Sequence, residues 1–254
     1  MKNFFAELKQ RNPLLFWFGL FNISVGLICI LLICVDDVTI LDINRWIKPM
    51  KFYFSVGLMA CTMNWILYYL NNVKKVKWYS WLITITMLFE NGLILMQAIR
   101  GTTSHFNVAN PLNGIIFSMM GILILIFSIT CIFILIHFFR QSQFTIPVPY
   151  LWGIRLGLLL FILFSLEGGI MVSLLKHTVG ATDEAKGYFI INWSKYHGDL
   201  RIAHFAGIHA LQILPLLGFY FTNTKRQIIT AAIIYFVVVS ALLFQALNGI
   251  PLFF

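Results

Sequence analysis

Glu90, Gln97 and Arg100 recur at intervals that carry them along one side of a helix. At about 100° per residue, positions 90 and 97 fall about 20° apart, with position 100 one turn further on. Ser104, His105 and Asn107 follow directly. A second concentration runs through His197, Asp199, Arg201, His204, His209 and Gln212. On a helix, Arg201, His204 and Gln212 share a wedge of about 80°, which His209 widens to about 140°. Glu167, just before Gly168 and Gly169, adds a carboxyl, and Gln245 and Asn248 stand a turn apart near the C-terminus. The imidazoles of His105, His204 and His209 are of the type that binds zinc, copper or iron, or a haem. His204 and His209, however, point about 140° apart and do not readily share one ion. Glu90, Glu167 and Asp199 suit general acid–base or proton-relay chemistry. Arg100 and Arg201 suit an anionic head group or carboxylate, with Gln97, Asn107 and Gln212 completing a substrate-binding set. Each group also has a plain packing role: interhelical hydrogen bonding for histidine, pairing of glutamate with arginine, and snorkelling of arginine to the interface.

The elements that must position these residues are long apolar segments. Of 254 residues, 60% are hydrophobic and 11% charged, with a mean hydropathy of +0.87. Soluble domains carry about 25% charged residues, so so few charges do not cover a water-facing surface. Seven segments, 13–34, 51–70, 78–100, 114–139, 150–175, 202–221 and 228–249, approach the roughly 20 residues that cross a hydrocarbon core. The second and sixth are the least purely apolar. The expected fold is all-α, a polytopic transmembrane helix bundle of about seven spans forming a single domain over 1–254. No internal repeat is apparent. Pro215 predicts a kink, because it cannot donate to the carbonyl of Leu211. Gly168, Gly169 and Gly207 read as close-packing positions.

The net charge of +9 suggests a nucleic-acid surface only if the basic residues cluster on a folded face. Here they sit at span ends, the pattern of cytoplasmic loops. Lys74, Lys75 and Lys77, and Lys225 with Arg226, place the N-terminus in the cytoplasm and the C-terminus outside. This implies a bacterial inner (cytoplasmic) membrane. The basic start at Lys2 to Arg11 leads into a run too long for a signal-peptide core and without a small-residue cleavage site, so a retained span is expected. Outer loops then hold Asp36, Asp37, Asp42, Asp183, Glu184 and Lys186. Val35 to Met50 contains an interfacial turn at Ile43 to Ile47, and Trp46, Lys48 and Lys51 anchor the second span at head-group level. Cys29, Cys34, Cys61 and Cys131 form no paired motif. Ionisable groups in spans cost about 2.5–3.5 kcal/mol each, and nearly every polar residue of the spans gathers in the outer half, with His137, Asn64 and Asn22 the exceptions.

Three stretches resemble a family of uncharacterised bacterial multi-pass membrane proteins with seven helices. They are Trp46-Ile47-Lys48-Pro49-Met50-Lys51-Phe52; Gln97-Ala98-Ile99-Arg100-Gly101 with Ser104-His105-Phe106-Asn107; and Gly198-Asp199-Leu200-Arg201 with His204-Phe205, Gly207, His209-Ala210, Gln212 and Leu214-Pro215. The resemblance spans most of the chain and implies the architecture without an activity. The residue types are also similar to those of alkaline-ceramidase-like hydrolases, which hold zinc with three histidines beside a serine and an aspartate, but the spacings differ from that family's motifs.

No phosphate loop, dinucleotide fingerprint, nucleophile elbow or H-E-x-x-H is present. The first expectation is an outward-opening, metal-assisted membrane enzyme acting on a lipid or other hydrophobic small molecule, with zinc as the divalent metal. In it His105, His204 and His209 are ligands or proton carriers, and Glu90, Glu167 and Asp199 the acid–base groups. The alternatives are a proton-coupled transporter, a haem-binding redox protein, and a structural or assembly factor. A transporter requires a polar path continuing past His137 to the cytoplasm. Stoichiometric zinc, copper or iron in purified protein decides the metal version, and a Soret band the haem version.

Overall fold

The computed structural model describes residues 4–183, 187–188 and 190–253; Lys2, Glu184 and Lys186 of the charge pattern above lie outside them. In chain order the elements are α1 (Phe4–Arg11), α2 (Pro13–Val35), β1 (Thr39–Ile40), β2 (Ile43–Asn44), α3 (Ile47–Leu67), α4 (Val73–Ile99) and α5 (Pro111–Arg140). There follow α6 (Val148–Leu166), α7 (Gly168–Leu174), β3 (Thr178–Val179), β4 (Gly198–Asp199), α8 (Leu200–Ile208), α9 (Ala210–Tyr220) and α10 (Lys225–Leu247). Every apolar segment of the sequence falls on helix, with ends that agree within a few residues. The only sheet among the described residues is two antiparallel ribbons, β1 with β2 and β3 with β4.

Helices α2, α4, α5, α10 and the α6–α7 run are each long and apolar enough to cross a membrane. Helices α8 and α9 make a sixth such stretch, bent by 41°. These helices mark an integral membrane protein. Helix α3 has 21 residues but is less apolar, since it carries Lys48, Lys51 and Asn64. The helix starts are set locally. Asn12 Oδ1 accepts the Leu15 N–H and Pro13 takes the first helical position of α2. Asn72 caps α4 in the same way, and Thr224 with Gln227 closes a capping box on α10.

The chain divides into two compact units, Met1–Thr130 and Cys131–Phe254, with α5 running from the first into the second. Both units present the same order: a helix, a loop with a two-residue ribbon, a second helix, a short capped turn, and a third helix. In the first these are α2, α3 and α4; in the second, α6–α7, α8–α9 and α10. This repetition of element order is invisible in the residues.

Each unit is drawn together by glycine. In the first, a Cβ on Gly57 of α3 would come 2.9 Å from the Ile23 side chain of α2. In the second, Gly153 and Gly157 form a G-x-x-x-G face on α6 against α9: a Cβ would stand 2.5 Å from the Leu214 carbonyl oxygen at Gly153, and 2.8 Å from that of Ala210 at Gly157. Of the expected close-packing glycines, Gly207 lies hard against Phe164, Gly168 allows ordinary contact with His204, and Gly169 meets nothing within 4 Å. The bend also departs from expectation. It falls at His209, between α8 and α9, while α9 continues through Pro215.

Gly157→Ala forces a backbone to move, so it lowers stability by about 1–3 kcal/mol in thermal unfolding in detergent. Gly169→Ala, in open space, changes it by no more than about 0.5 kcal/mol. Equal melting of the two variants would contradict this packing.

Candidate functional site: two buried glutamate–histidine pairs

In the first unit, Glu90 sits on α4 and is 2% exposed. Its Oε1 lies 3.9 Å from His105 Nε2, while its Oε2 is buried with no hydrogen-bond partner. His105 comes from the segment after α4, which turns back through positive φ at Gly101 and Phe106. The ring is held by Ser104 Oγ, 3.0 Å from Nδ1, and by Phe52, Phe106 and Phe117 around it. Lys48, at the start of α3, lies within electrostatic reach of Glu90. Gln97 and Arg100 share the stripe but look elsewhere. Arg100 Nη1 donates to Gln97 Oε1 at 2.6 Å and to Asn113 Oδ1 at 3.1 Å, and Gln97 Nε2 donates to the same Asn113 oxygen at 3.2 Å. Asn107 shapes the loop, donating to Thr102 Oγ1 and the Thr103 carbonyl.

In the second unit, Glu167 stands at the break between α6 and α7 and is 6% exposed. Its Oε2 is 3.1 Å from His204 Nδ1 on α8, and its Oε1 is buried with no partner. Both units thus bring an imidazole toward a buried carboxyl whose other oxygen has no donor, within hydrogen-bond distance at Glu167 and at 3.9 Å at Glu90. Neither glutamate pairs with an arginine.

Asp199 is different in kind. Its side chain accepts from the Ser194 N–H at 2.7 Å, from the Arg201 N–H and Nε at 3.0 and 2.9 Å, and from Arg201 Nη2 at 2.6 Å. Arg201 also donates to the Asn192 carbonyl. This pair caps α8 and ties the preceding loop to it. His209 Nδ1 faces Gln212 Oε1 at 3.2 Å and its ring packs on Phe205, so His204 and His209 serve separate partners. Among the described residues no group of three or more His, Cys, Asp and Glu side chains is placed to hold a metal ion, and the set His105, His204 and His209 finds no support as ligands. Each of those rings already faces a carboxyl or amide oxygen. A cavity of about 400 Å³ lined by Tyr188, Lys195, Tyr196, Pro251 and Phe253 includes none of the expected site residues.

Compared with family models, curated proteins and solved structures, the chain matches none. Its chemistry must be read from its own side chains.

Two features escape sequence reasoning. The first is a seam of uncharged polar residues in the first unit. Asn12 Nδ2 donates to Ser80 Oγ at 2.7 Å, Asn64 Nδ2 to the Leu8 and Asn12 carbonyls, and Asn91 Nδ2 to Asn22 Oδ1 at 2.8 Å. Ser80, Thr84 and Asn91 share about 40° of α4, a signal present in the residues but masked by attention to ionisable groups. The second lies in the loops that follow α2 and α7. Asp36 is held below the usual carboxylate range by the Val38 N–H, the Trp46 indole and Arg45. Burial opposes ionisation of Asp183, but hydrogen bonds from the His177 ring and from the His177 and Thr178 N–H groups outweigh it and hold the carboxyl below its ordinary value.

A folded value below the roughly 3.9 of an unfolded aspartate means that the Asp183 contribution is complete above that pH and lost as pH falls through the folded value. The His177 and Thr178 amides therefore keep their hydrogen-exchange protection from pH 7 to pH 5, whereas Asp183→Asn loses it at pH 7. Fading protection of the native loop between pH 7 and 5 would contradict the assignment. Separately, Arg201→Ala leaves Asp199 buried without its cation and lowers stability by about 3–5 kcal/mol, measured as the melting transition. A smaller loss than Gly157→Ala gives would count against this anchoring role.

Proposed function

We propose that the chain is a seven-span protein of the bacterial cytoplasmic membrane, N-terminus inside and C-terminus outside, that carries protons on Glu90 and Glu167 coupled to movement of a solute. Helix α3 is counted as a span because its 21 residues reach about 31 Å, with Lys48 and Lys51 at its head-group end. The basic turns before α4 and α10 then face the cytoplasm.

The observation that carries this reading is the shared state of the two glutamates. A buried carboxyl with an imidazole within 4 Å of one oxygen and no donor on the other can take up a proton and has a neighbour to exchange it with. Histidine titrates near physiological pH in its unperturbed form and suits the second role. The seam of buried Ser80, Thr84 and Asn64 supports a carrier over an outward-facing lipid enzyme, because such an enzyme needs no polar residues in the N-terminal half of α4.

Proteoliposomes with a trapped pH dye test the proposal. Wild-type protein collapses an imposed pH gradient faster than protein-free vesicles do, and Glu90→Gln or Glu167→Gln slows the collapse about tenfold or more. Wild-type vesicles that hold the gradient like protein-free ones, or glutamine variants that match wild type, would overturn it.

A further inference from the structure

Four acceptor atoms of the first unit are buried without a hydrogen-bond partner: Asn64 Oδ1 on α3, and Thr84 Oγ1, Glu90 Oε2 and Asn91 Oδ1 on α4. Their residues are 0%, 8%, 2% and 1% exposed. Hydrocarbon supplies no donor to such atoms, and bound water is their usual partner in protein interiors. They are also aligned. Ser80, Thr84 and Asn91 cover 11 residues of α4, a rise of about 17 Å within an arc of about 40°. Asn22 of α2 faces Asn91 at one end; at the other Asn12 donates to Ser80, and Asn64 donates to the Asn12 carbonyl. Glu90 lies about 100° from Asn91 around α4, at the edge of the same buried face.

The spacing decides what fills the seam. Thr84 and Asn91 are about 10 Å apart along the helix, whereas oxygens around one bound calcium-like cation stand at about 2.3–2.6 Å. One ion does not satisfy both, but a short run of waters does. We propose that the seam between α2, α3 and α4 holds a file of internal water linking Glu90 to the N-terminal end of α4, and that Glu90 exchanges protons through it. The proposal rests on the carrier reading above, in whose orientation that end is cytoplasmic.

The step moves protons and no electrons. The Glu90 carboxyl releases its proton to the adjacent water, each water passes one on as it accepts another, and the Thr84 hydroxyl, both donor and acceptor, relays between them. His105 and Lys48 are the titratable groups beside Glu90; the side chains named along the seam carry no charge.

The experiment is proton flux through proteoliposomes of the full chain, with Thr84→Val, which replaces the hydroxyl by a methyl group of the same shape, beside Thr84→Ser and Glu90→Gln. Thr84→Val melting like wild type and conducting about tenfold less, with Thr84→Ser close to wild type, is expected. Asn91→Leu supplies the same test if Thr84→Val folds poorly. If Glu90→Gln stops flux while Thr84→Val and Asn91→Leu conduct like wild type, the file is overturned and the carrier reading stands. If Glu90→Gln itself conducts like wild type, the carrier reading falls and the file falls with it.

Discussion

A carboxyl oxygen without a donor, inside a helix that crosses hydrocarbon, is the constraint on which this structure turns. Hydrocarbon supplies no donor to complete its hydrogen bonds, and leaving such a group unmade costs stability that a bundle of apolar helices has no structural reason to give up. Glu90 and Glu167 both stand in this condition, each with a histidine of its own unit near the other oxygen. The surrounding packing holds that state open. The turn at Gly101 and Phe106 returns His105 over α4, and the break between α6 and α7 sets Glu167 beside His204 of α8.

Satisfaction separates polar groups that build from polar groups that work. Asp199 is as buried as Glu90, yet four donors complete it, and its effect is to cap α8 and fasten a loop. Asp36 and Asp183 do the same for the loops after α2 and α7 with backbone N–H groups, an indole and an imidazole. Gln97, Asn113 and Arg100 close on each other. Against these completed sets, the open oxygens of Glu90, Glu167, Thr84, Asn91 and Asn64 stand out as places where something else must bind.

Much of the fold was legible because hydrocarbon thickness sets helix length, so the apolar runs mark the helices directly. Three ionisable residues of the candidate site were legible for the same energetic reason: Glu90, Glu167 and His204 are costly in a span, whereas His105 drew notice only by following the stripe of α4. Their pairing was not. Helical arithmetic ranks neighbours along one element, whereas Glu90 and Glu167 each take their imidazole from a different one. It also assumes a continuous helix, and the bend at His209 sends His209 to Gln212 rather than toward a common centre with His204. The seam went unseen because serine, threonine and asparagine carry no charge and barely lower the mean hydropathy of α4. The packing role of Gly153 and Gly157 depends on how closely α9 approaches, which no local pattern states.

Infrared difference spectroscopy of wild type against Glu90→Gln tests the proton-site assignment most directly, because it reads the Glu90 carboxyl itself. A carboxyl band that titrates with pH and shifts promptly on transfer to deuterated water is predicted. A band that neither titrates nor exchanges would show a sealed, structural carboxyl and contradict the assignment.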